Sequence, residues 1–196
     1  MKKSENTPTG EKPVNVKKEL FGWVVYIAII IAISFLIVKF VGMRTTVSGS
    51  SMNNTLYNGD QLIINKIGYR LHKPERFDII VFPYQYKKDT YYIKRVIGLP
   101  GETVQIKEVD GNGYYVFING KQLKSDVYGR EVMNMPGLAE NPIKLGEDEY
   151  FVLGDNRNNS EDSRFPDVAE IKGKDIVGKA FFRIYPFKDF GLIKHK

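Results

Sequence analysis

Residues 91–101 read YYIKRVIGLPG, and this stretch carries the pattern of strand and turn residues that recurs through the chain after Arg44. Its first seven residues are mostly β-branched and aromatic, which favours a β-strand. Leu99-Pro100-Gly101 then supplies turn residues, so the strand should end there and the chain should reverse direction. The stretch therefore predicts a strand followed by a tight turn, which is typical of an antiparallel β domain.

The strand also carries two adjacent basic residues, Lys94 and Arg95. Successive side chains of a strand point to opposite faces of the sheet, so these two charges must point in opposite directions. One of them has to be buried or paired unless one face of the strand is wholly exposed. An edge strand with two surface charges is the alternative explanation.

Short runs of the same kind, separated by turn residues, continue on both sides of this stretch. Asn58-Gly59-Asp60 and Asn119-Gly120 are strong turn signals, and the second predicts a tight hairpin. The predicted strands cover residues 61–67, 77–82, 91–97, 103–106, 114–118, 150–153 and 176–184. We therefore expect a mostly β domain over residues 42–196, built as a folded-over or barrel-like antiparallel sheet.

An uncharged segment precedes this domain. Residues 20–38 read LFGWVVYIAIIIAISFLIV, which is close to the roughly 20 residues that a helix needs to span a bilayer. A buried core helix and a cleavable signal are the alternatives, but the run is longer than the usual 7 to 15 residues of a signal's apolar region. We predict a tail at residues 1–19 and a single transmembrane helix at residues 20–41.

Flanking charges predict the orientation of this helix. Lysines are more frequent before the segment than after it, so the positive-inside rule places the N-terminus in the cytoplasm. The charged residues compared are Lys2, Lys3, Lys12, Lys17 and Lys18 before the segment, and Lys39 and Arg44 after it. The β domain should then lie on the outer side of the cell membrane, with the lipid bilayer as a partner.

The composition excludes several functional classes. The net charge of +6 would suit nucleic acid, but positive and negative residues alternate through most of the chain, and we expect no nucleic-acid partner. With no cysteine and only His72 and His195, we expect no metal site and no cofactor. A hydrolase with this composition would take its general base from a residue other than histidine.

Three segments are dense in residues that can carry chemistry. They read SGSSMNNTL at residues 48–56, YIKRVIGLPG at residues 92–101 and GDNRNNSEDSR at residues 154–164. Taken singly, they could be a serine-rich turn, an edge strand and a solvated loop. In this order, and behind an N-terminal anchor, they resemble the conserved boxes of bacterial type I signal peptidases, peptidase family S26. The absence of cysteine and the short insert between strands resemble the compact Gram-positive members.

This resemblance implies a membrane-bound serine endopeptidase with a Ser/Lys dyad. Its substrates would be secretory preproteins, cut after small residues in an Ala-x-Ala-like pattern that ends the signal peptide. Two alternatives stay open from the sequence. One is a non-catalytic relative that aids surface or pilus assembly, and the other is a dedicated processing peptidase with few substrates.

The resemblance assigns Ser51 as the nucleophile, Lys94 as its general base and Ser160 as the hydroxyl that orients the lysine. A lysine with an ordinary pKa near 10.4 is a poor base at neutral pH, so Lys94 would have to be desolvated to become neutral. We expect Met52 and Tyr92 to contribute apolar surroundings for this amine.

The remaining charged residues of the three segments are given a structural role by the resemblance. Asp155 would pair with Arg95, and Asp162 would pair with Arg164. These pairs would hold the third segment against the second.

Two positions depart from the family pattern. Gly49 stands where some members carry a hydroxyl that helps to bind the oxyanion, so the oxyanion would rely on the Ser51 backbone N–H, helped by Ser50 or water. Asn54 stands where many members have proline. If Asn54 has a φ near −65° and an unpaired N–H, replacement by proline should stabilise the fold by roughly 0.4 to 1 kcal/mol. The alternative is that the asparagine side chain fixes the turn by hydrogen bonding.

Overall fold

The structure is a computed structural model that describes residues 16–129 and 131–194. The predicted tail up to residue 15, and His195, lie outside the described residues. The chain divides into two compact units, residues 1–39 and residues 40–196.

Within the first unit, helix α1 begins at Val16 and runs to Val41 in the adjoining unit. The apolar side chains that the structure describes between Leu20 and Ile33 are exposed. Trp23 and Tyr26 pack edge to face, with ring centroids 6.3 Å apart. In the part of the chain that the structure describes, no helix is both long enough and apolar enough to cross a membrane.

The second unit consists mainly of antiparallel β-strands. In chain order the described strands are β1 Gly42–Thr46, β2 Gln61–Asn65, β3 Ile79–Pro83, β4 Tyr91–Gly98, β5 Thr103–Glu108, β6 Tyr114–Ile118, β7 Lys121–Gln122, β8 Ile143–Lys144, β9 Glu149–Leu153, β10 Ile171–Lys172, β11 Gly178–Tyr185 and β12 Gly191–Leu192. A short helix α2 spans Gly68–Leu71, and 3₁₀ turns lie at Gly137–Glu140, Gly173–Asp175 and Phe187–Asp189.

These strands form two sheets. The larger sheet has the order β1-β2-β11-β3-β4-β9-β10, with β12 paired to β11, and the smaller has the order β7-β6-β5-β8. Strand β4 lies between β3 and β9, so its backbone is hydrogen-bonded on both sides over part of its length. The central position of β4 fixes the placement of Lys94 and Arg95.

The mostly β, antiparallel fold class predicted from the sequence is confirmed. Each of the seven predicted strands is present with ends within two residues of those expected, and residues 114–118 match at both ends. The strands predicted from the sequence did not include β1 or the two-residue strands. Strand β1, with the sequence GMRTT, has no apolar alternation, and its strand geometry comes from pairing with β2.

Among the described residues, three apolar clusters stabilise the second unit. One of them lies under the segment that carries Ser51 and includes Met52, Leu56, Leu62 and Ile64, each with at most 2% of its surface exposed. Another buries Val96 of β4 against neighbouring strands. The site described below is therefore built on well-packed backbone.

Candidate active site

Ser51 opens a tight turn between β1 and β2. The Thr55 and Leu56 backbone N–H groups both donate to the Met52 carbonyl, at 3.0 and 2.8 Å. Met52 and Leu56 insert their side chains into the core. Because buried side chains anchor the turn, the Ser51 hydroxyl is held at a defined place on the surface of the domain.

The loop after β9 holds the same turn from the opposite side. The Asn156 backbone N–H donates to the Ser51 carbonyl at 3.0 Å, and its side-chain amide donates to the Ser50 carbonyl at 3.1 Å. The Asn159 amide donates to the Ser50 hydroxyl at 2.9 Å. These contacts link residues about one hundred positions apart, and the sequence alone predicts no role for either asparagine.

Lys94 reaches Ser51 from β4. Its Nζ lies 2.8 Å from Ser51 Oγ, within hydrogen-bond distance. The Lys94 residue is only 3% exposed, and its Nζ lies 4.8 Å from the centroid of the Tyr92 ring. The sequence predicted that at least one of Lys94 and Arg95 is buried or paired unless one face of the strand is wholly exposed, and the structure buries both.

Burial changes the acid–base behaviour of this amine. Desolvation lowers the pKa of Lys94 from 10.5 to about 8, while the negative charges of Asp162, Glu161 and Asp155 act in the opposite direction. A lysine with this pKa is neutral in a substantial fraction of molecules near pH 8. The amine is therefore able to accept a proton from a hydroxyl that is already within hydrogen-bond distance.

Arg95 points to the other face and forms a buried ion pair with Asp155. Its Nε and Nη2 donate to the two carboxylate oxygens at 2.8 and 2.6 Å, and its Nη1 donates to the Phe77 carbonyl at 2.8 Å. The Tyr128 ring covers the guanidinium, with its centroid 3.6 Å from Cζ. Arg95 and Asp155 thus form the pair that the resemblance implies.

Asp162 and Arg164 form a second buried pair. Arg164 Nε and Nη2 donate to the Asp162 carboxylate at 2.8 and 2.9 Å, and the Gly154 N–H donates to the same carboxylate at 3.0 Å. Arg164 also donates to the Arg157 carbonyl. These bonds join residues of the same loop and stabilise the conformation of residues 154–164.

Gly154 is required where this loop approaches Ser51. A Cβ at this position would lie 2.1 Å from the Ser160 hydroxyl oxygen and 2.5 Å from the Ser51 carbonyl oxygen. The Ser160 oxygen is buried and has no hydrogen-bond partner among the described residues. The hydrogen bond from Ser160 to Lys94 that the resemblance led us to expect is therefore not formed, because the hydroxyl lies against the Gly154 backbone.

Gly49 has a φ of 94°, a conformation that strongly favours glycine, and its N–H donates to the Asn58 side chain at 3.0 Å. It leaves open space where a side chain would stand. Within the described residues, the Ser51 backbone N–H has no acceptor.

Asn54 has a φ of 85°, in the left-handed region. The condition for a stabilising proline, a φ near −65°, is not met, so proline is no longer expected to stabilise this turn. Asparagine tolerates this conformation better than most residues, whereas proline cannot adopt it.

A groove of about 290 Å³ contains the Ser51 and Lys94 side chains. Its walls come from residues 45–50, from Tyr91 to Ile93 of β4, and from Asn159 and Glu161 of the loop after β9. A larger cavity of about 470 Å³ is lined by Thr55, Arg183 and Phe190 among others, and it includes neither Ser51 nor Lys94. The groove is therefore the place where a substrate would meet the hydrogen-bonded pair.

A buried lysine with a lowered pKa, hydrogen-bonded to a serine on a rigid turn, is the arrangement of serine hydrolases that use an amine in place of histidine as the general base. The family "Signal peptidase, peptidase S26" matches residues 20–185. The chain belongs to this family of peptidases.

Curated relatives agree with this assignment. The chain is 39% identical over 186 residues to "Probable signal peptidase I-2" of Synechocystis sp., covering 92% of this chain and 79% of the relative. It is 36% identical over 184 residues to "Signal peptidase IB" of Staphylococcus aureus, covering 89% and 94%. A crystal structure of a signal peptidase I from Enterococcus faecalis is 34% identical, with a TM-score of 0.44 over 55% of this chain and 97% of that chain.

Proposed function

We propose that this chain is a serine endopeptidase that removes N-terminal signal peptides from exported preproteins, cutting after small residues in an Ala-x-Ala-like pattern. The observation that carries the proposal is the 2.8 Å hydrogen bond between Lys94 Nζ and Ser51 Oγ in a buried setting. Family membership and the names of the relatives support the substrate class.

The first step is acylation of Ser51. Neutral Lys94 accepts the hydroxyl proton while Ser51 Oγ attacks the carbonyl carbon of the scissile peptide bond. The negative charge on the carbonyl oxygen is stabilised by the Ser51 backbone N–H, which is otherwise without an acceptor in the described region. Lys94 then gives its proton to the leaving nitrogen, the C–N bond breaks, and the mature protein departs.

The second step is hydrolysis of the acyl-enzyme. Lys94 is neutral again after the first step and takes a proton from a water molecule, whose oxygen attacks the ester carbonyl. The ester bond to Ser51 Oγ breaks, and the serine recovers its proton from Lys94. The signal peptide leaves with a new carboxylate, and no cofactor takes part in this sequence.

The supporting residues position the groups that react in these two steps. The Arg95–Asp155 pair holds the loop after β9 against β4. The Asp162–Arg164 pair lies within that loop and stabilises its conformation, so the expectation that this second pair links the third segment to the second was wrong. Ser160 supplies an unpartnered hydroxyl oxygen beside the Ser51 backbone that can accept a hydrogen bond when Lys94 becomes charged. Gly49 leaves space at the groove, where water can assist the Ser51 N–H.

Residues 20–41 serve as the membrane anchor in this proposal. Supporting observations are the uncharged sequence of residues 20–38, the lysines that precede this segment and the exposed apolar side chains between Leu20 and Ile33. The tail is then cytoplasmic and residues 42–196 are extracytoplasmic. A tag at the N-terminus should stay protected when protease is added to intact spheroplasts, and the β domain should be digested; the reverse pattern would refute this topology.

The non-catalytic alternative is not favoured, because the chain has both Ser51 and Lys94 and they are in hydrogen-bond contact. Substrate range distinguishes a general signal peptidase from a dedicated processing enzyme. The detergent-solubilised protein should be incubated with a panel of preproteins, and the new N-termini should be sequenced. Cuts after Ala-x-Ala sites in several preproteins are expected, while cleavage confined to one partner would indicate a dedicated enzyme, and no cleavage would contradict the proposal.

A further inference from the structure

Tyr92 and Glu161 are in contact at the edge of the groove, and the mechanism above does not use this contact. The Tyr92 hydroxyl donates to Glu161 Oε2 at 2.6 Å. Both residues line the same groove as Ser51 and Lys94. Tyr92 comes from β4, whereas Glu161 comes from the loop after β9, so the hydrogen bond ties together the two elements that form one side of the site.

The Tyr92 ring is held from several directions. It stacks on Tyr84 with centroids 4.5 Å apart and an interplanar angle of 11°, and Phe82 packs edge-on against it at 6.2 Å. Its remaining face lies toward Lys94, whose Nζ is 4.8 Å from the ring centroid. An aromatic ring at this distance attracts a cationic amine, and its fixed position restricts the directions that the Lys94 side chain can take.

The Tyr92 hydroxyl is a permanent donor in this contact. Burial raises the pKa of Tyr92, and the hydrogen bond to Glu161 raises it further, so the hydroxyl keeps its proton at physiological pH. Glu161 itself is exposed. Without the Tyr92 hydroxyl, an exposed glutamate side chain would be free to turn into solvent.

Glu161 differs from the other carboxylates that act on Lys94. Asp162, Glu161 and Asp155 are the acidic groups that favour the charged form of this lysine. Asp162 is neutralised by Arg164 and Asp155 by Arg95. Glu161 has no ion-pair partner among the described residues, so its negative charge at the groove is uncompensated.

We propose that Tyr92 and Glu161 act together as positioning residues for Lys94. The Tyr92 ring restricts the amine, and the Tyr92 hydroxyl keeps the negatively charged Glu161 carboxylate at the groove, where it favours the charged form of Lys94. This inference rests on the proposed function, because it concerns the general base of that reaction.

The test is the pH dependence of kcat/KM for three variants of the full-length, detergent-solubilised protein. Glu161→Gln keeps an acceptor for Tyr92 but removes the charge, while Tyr92→Phe keeps the ring but releases the carboxylate. Both variants should move the acidic limb of the pH–activity profile to lower pH. At a pH about one unit below the midpoint of the wild-type limb, kcat/KM should rise about two- to threefold, which is the effect expected from removing one partly screened charge. The double variant should show no further displacement, because both changes remove one interaction.

Asp167→Asn is the matched control, since it removes an exposed carboxylate that interacts with Tyr84 and not with Lys94. Its pH profile should equal that of the wild type. An unmoved limb in Glu161→Gln, or displacements that add in the double variant, would overturn the inference.

A second measurement is independent of cleavage. The titration of the Lys94 ammonium, followed by NMR on lysine-labelled protein, should show the same displacement in the same variants. If the wild type cut no preprotein, the proposed function would fail, while this titration would still support or refute the coupling of Tyr92 and Glu161 to Lys94.

Discussion

At the scale of single residues, burial of Lys94 favours its role as a base but lowers the stability of the fold. Its amine is nearly fully buried in the folded protein and hydrated in the unfolded chain. Because burial lowers the pKa of Lys94 from 10.5 to about 8, the unfolded chain binds the lysine proton more tightly than the folded protein does. The buried ammonium therefore costs stability at every pH below about 8, and this cost disappears as the pH rises from about 8 to about 10.5.

Replacement of this lysine should consequently stabilise the fold. We expect Lys94→Met to raise the free energy of unfolding by about 3 kcal/mol at pH 7, since each pKa unit corresponds to about 1.4 kcal/mol. The gain should diminish between pH 8 and pH 10.5. Denaturant unfolding at a series of pH values measures it, and the exposed Lys121→Met serves as the control with no such gain. A loss of stability in Lys94→Met at neutral pH would contradict the account.

The turn after Ser51 depends on the conformation of Asn54. Proline cannot adopt the observed φ of 85°, so Asn54→Pro should break the turn, destabilise the domain by about 3 kcal/mol or more and lower cleavage activity. Asn54→Gly is the matched variant, because glycine adopts positive φ without strain, and it should retain stability and activity. Thermal unfolding and turnover of both variants check this, and a stabilised Asn54→Pro protein would show that the turn has another conformation.

At the scale of elements, the active site depends on the contact between β4 and the loop after β9. Asp155 is fully buried and satisfies two donors of Arg95. We expect Asp155→Ala to cost about 3 to 5 kcal/mol in stability, because it leaves the buried guanidinium without its counter-charge. Glu147→Ala, at an exposed position, should change stability by less than about 0.5 kcal/mol. Equal effects of the two substitutions in denaturant unfolding would argue against a structural role for the pair.

The sequence predicted the strands well because apolar alternation and turn residues are local signals. Residues 114–118, flanked by turn signals on both sides, were placed at their observed ends. Strand β1 was missed because its geometry comes from pairing with β2, which a local pattern does not reveal.

The sequence predicted some residues of the site but not others. Ser51 and Lys94 could be assigned through the resemblance, and so could the two ion pairs. The φ of Asn54, the unpartnered Ser160 hydroxyl and the contact between Tyr92 and Glu161 depend on how distant loops pack together. In the sequence, Glu161 and Asn159 are recognisable only as members of the polar segment 154–164. That segment's composition does not distinguish their roles.

At the scale of the whole molecule, the larger sheet and two loops bring three separate segments to one groove. The turn at Ser51, strand β4 and the loop after β9 are connected by hydrogen bonds that span from 43 to 109 positions in the sequence. The apolar cluster beneath Met52 and Leu56 supports this assembly. The catalytic proposal therefore depends on the complete β domain rather than on any one motif.

The most direct test of the central claim is preprotein cleavage by dyad variants of the full-length protein in detergent. Ser51→Ala and Lys94→Ala should each reduce turnover to background, and the double variant should be no worse, because a nucleophile and its base act as a unit. Ser48→Ala, at an exposed position in the same segment, should keep wild-type turnover. Substantial turnover by either dyad variant would contradict the assignment of Ser51 as the nucleophile and Lys94 as its base.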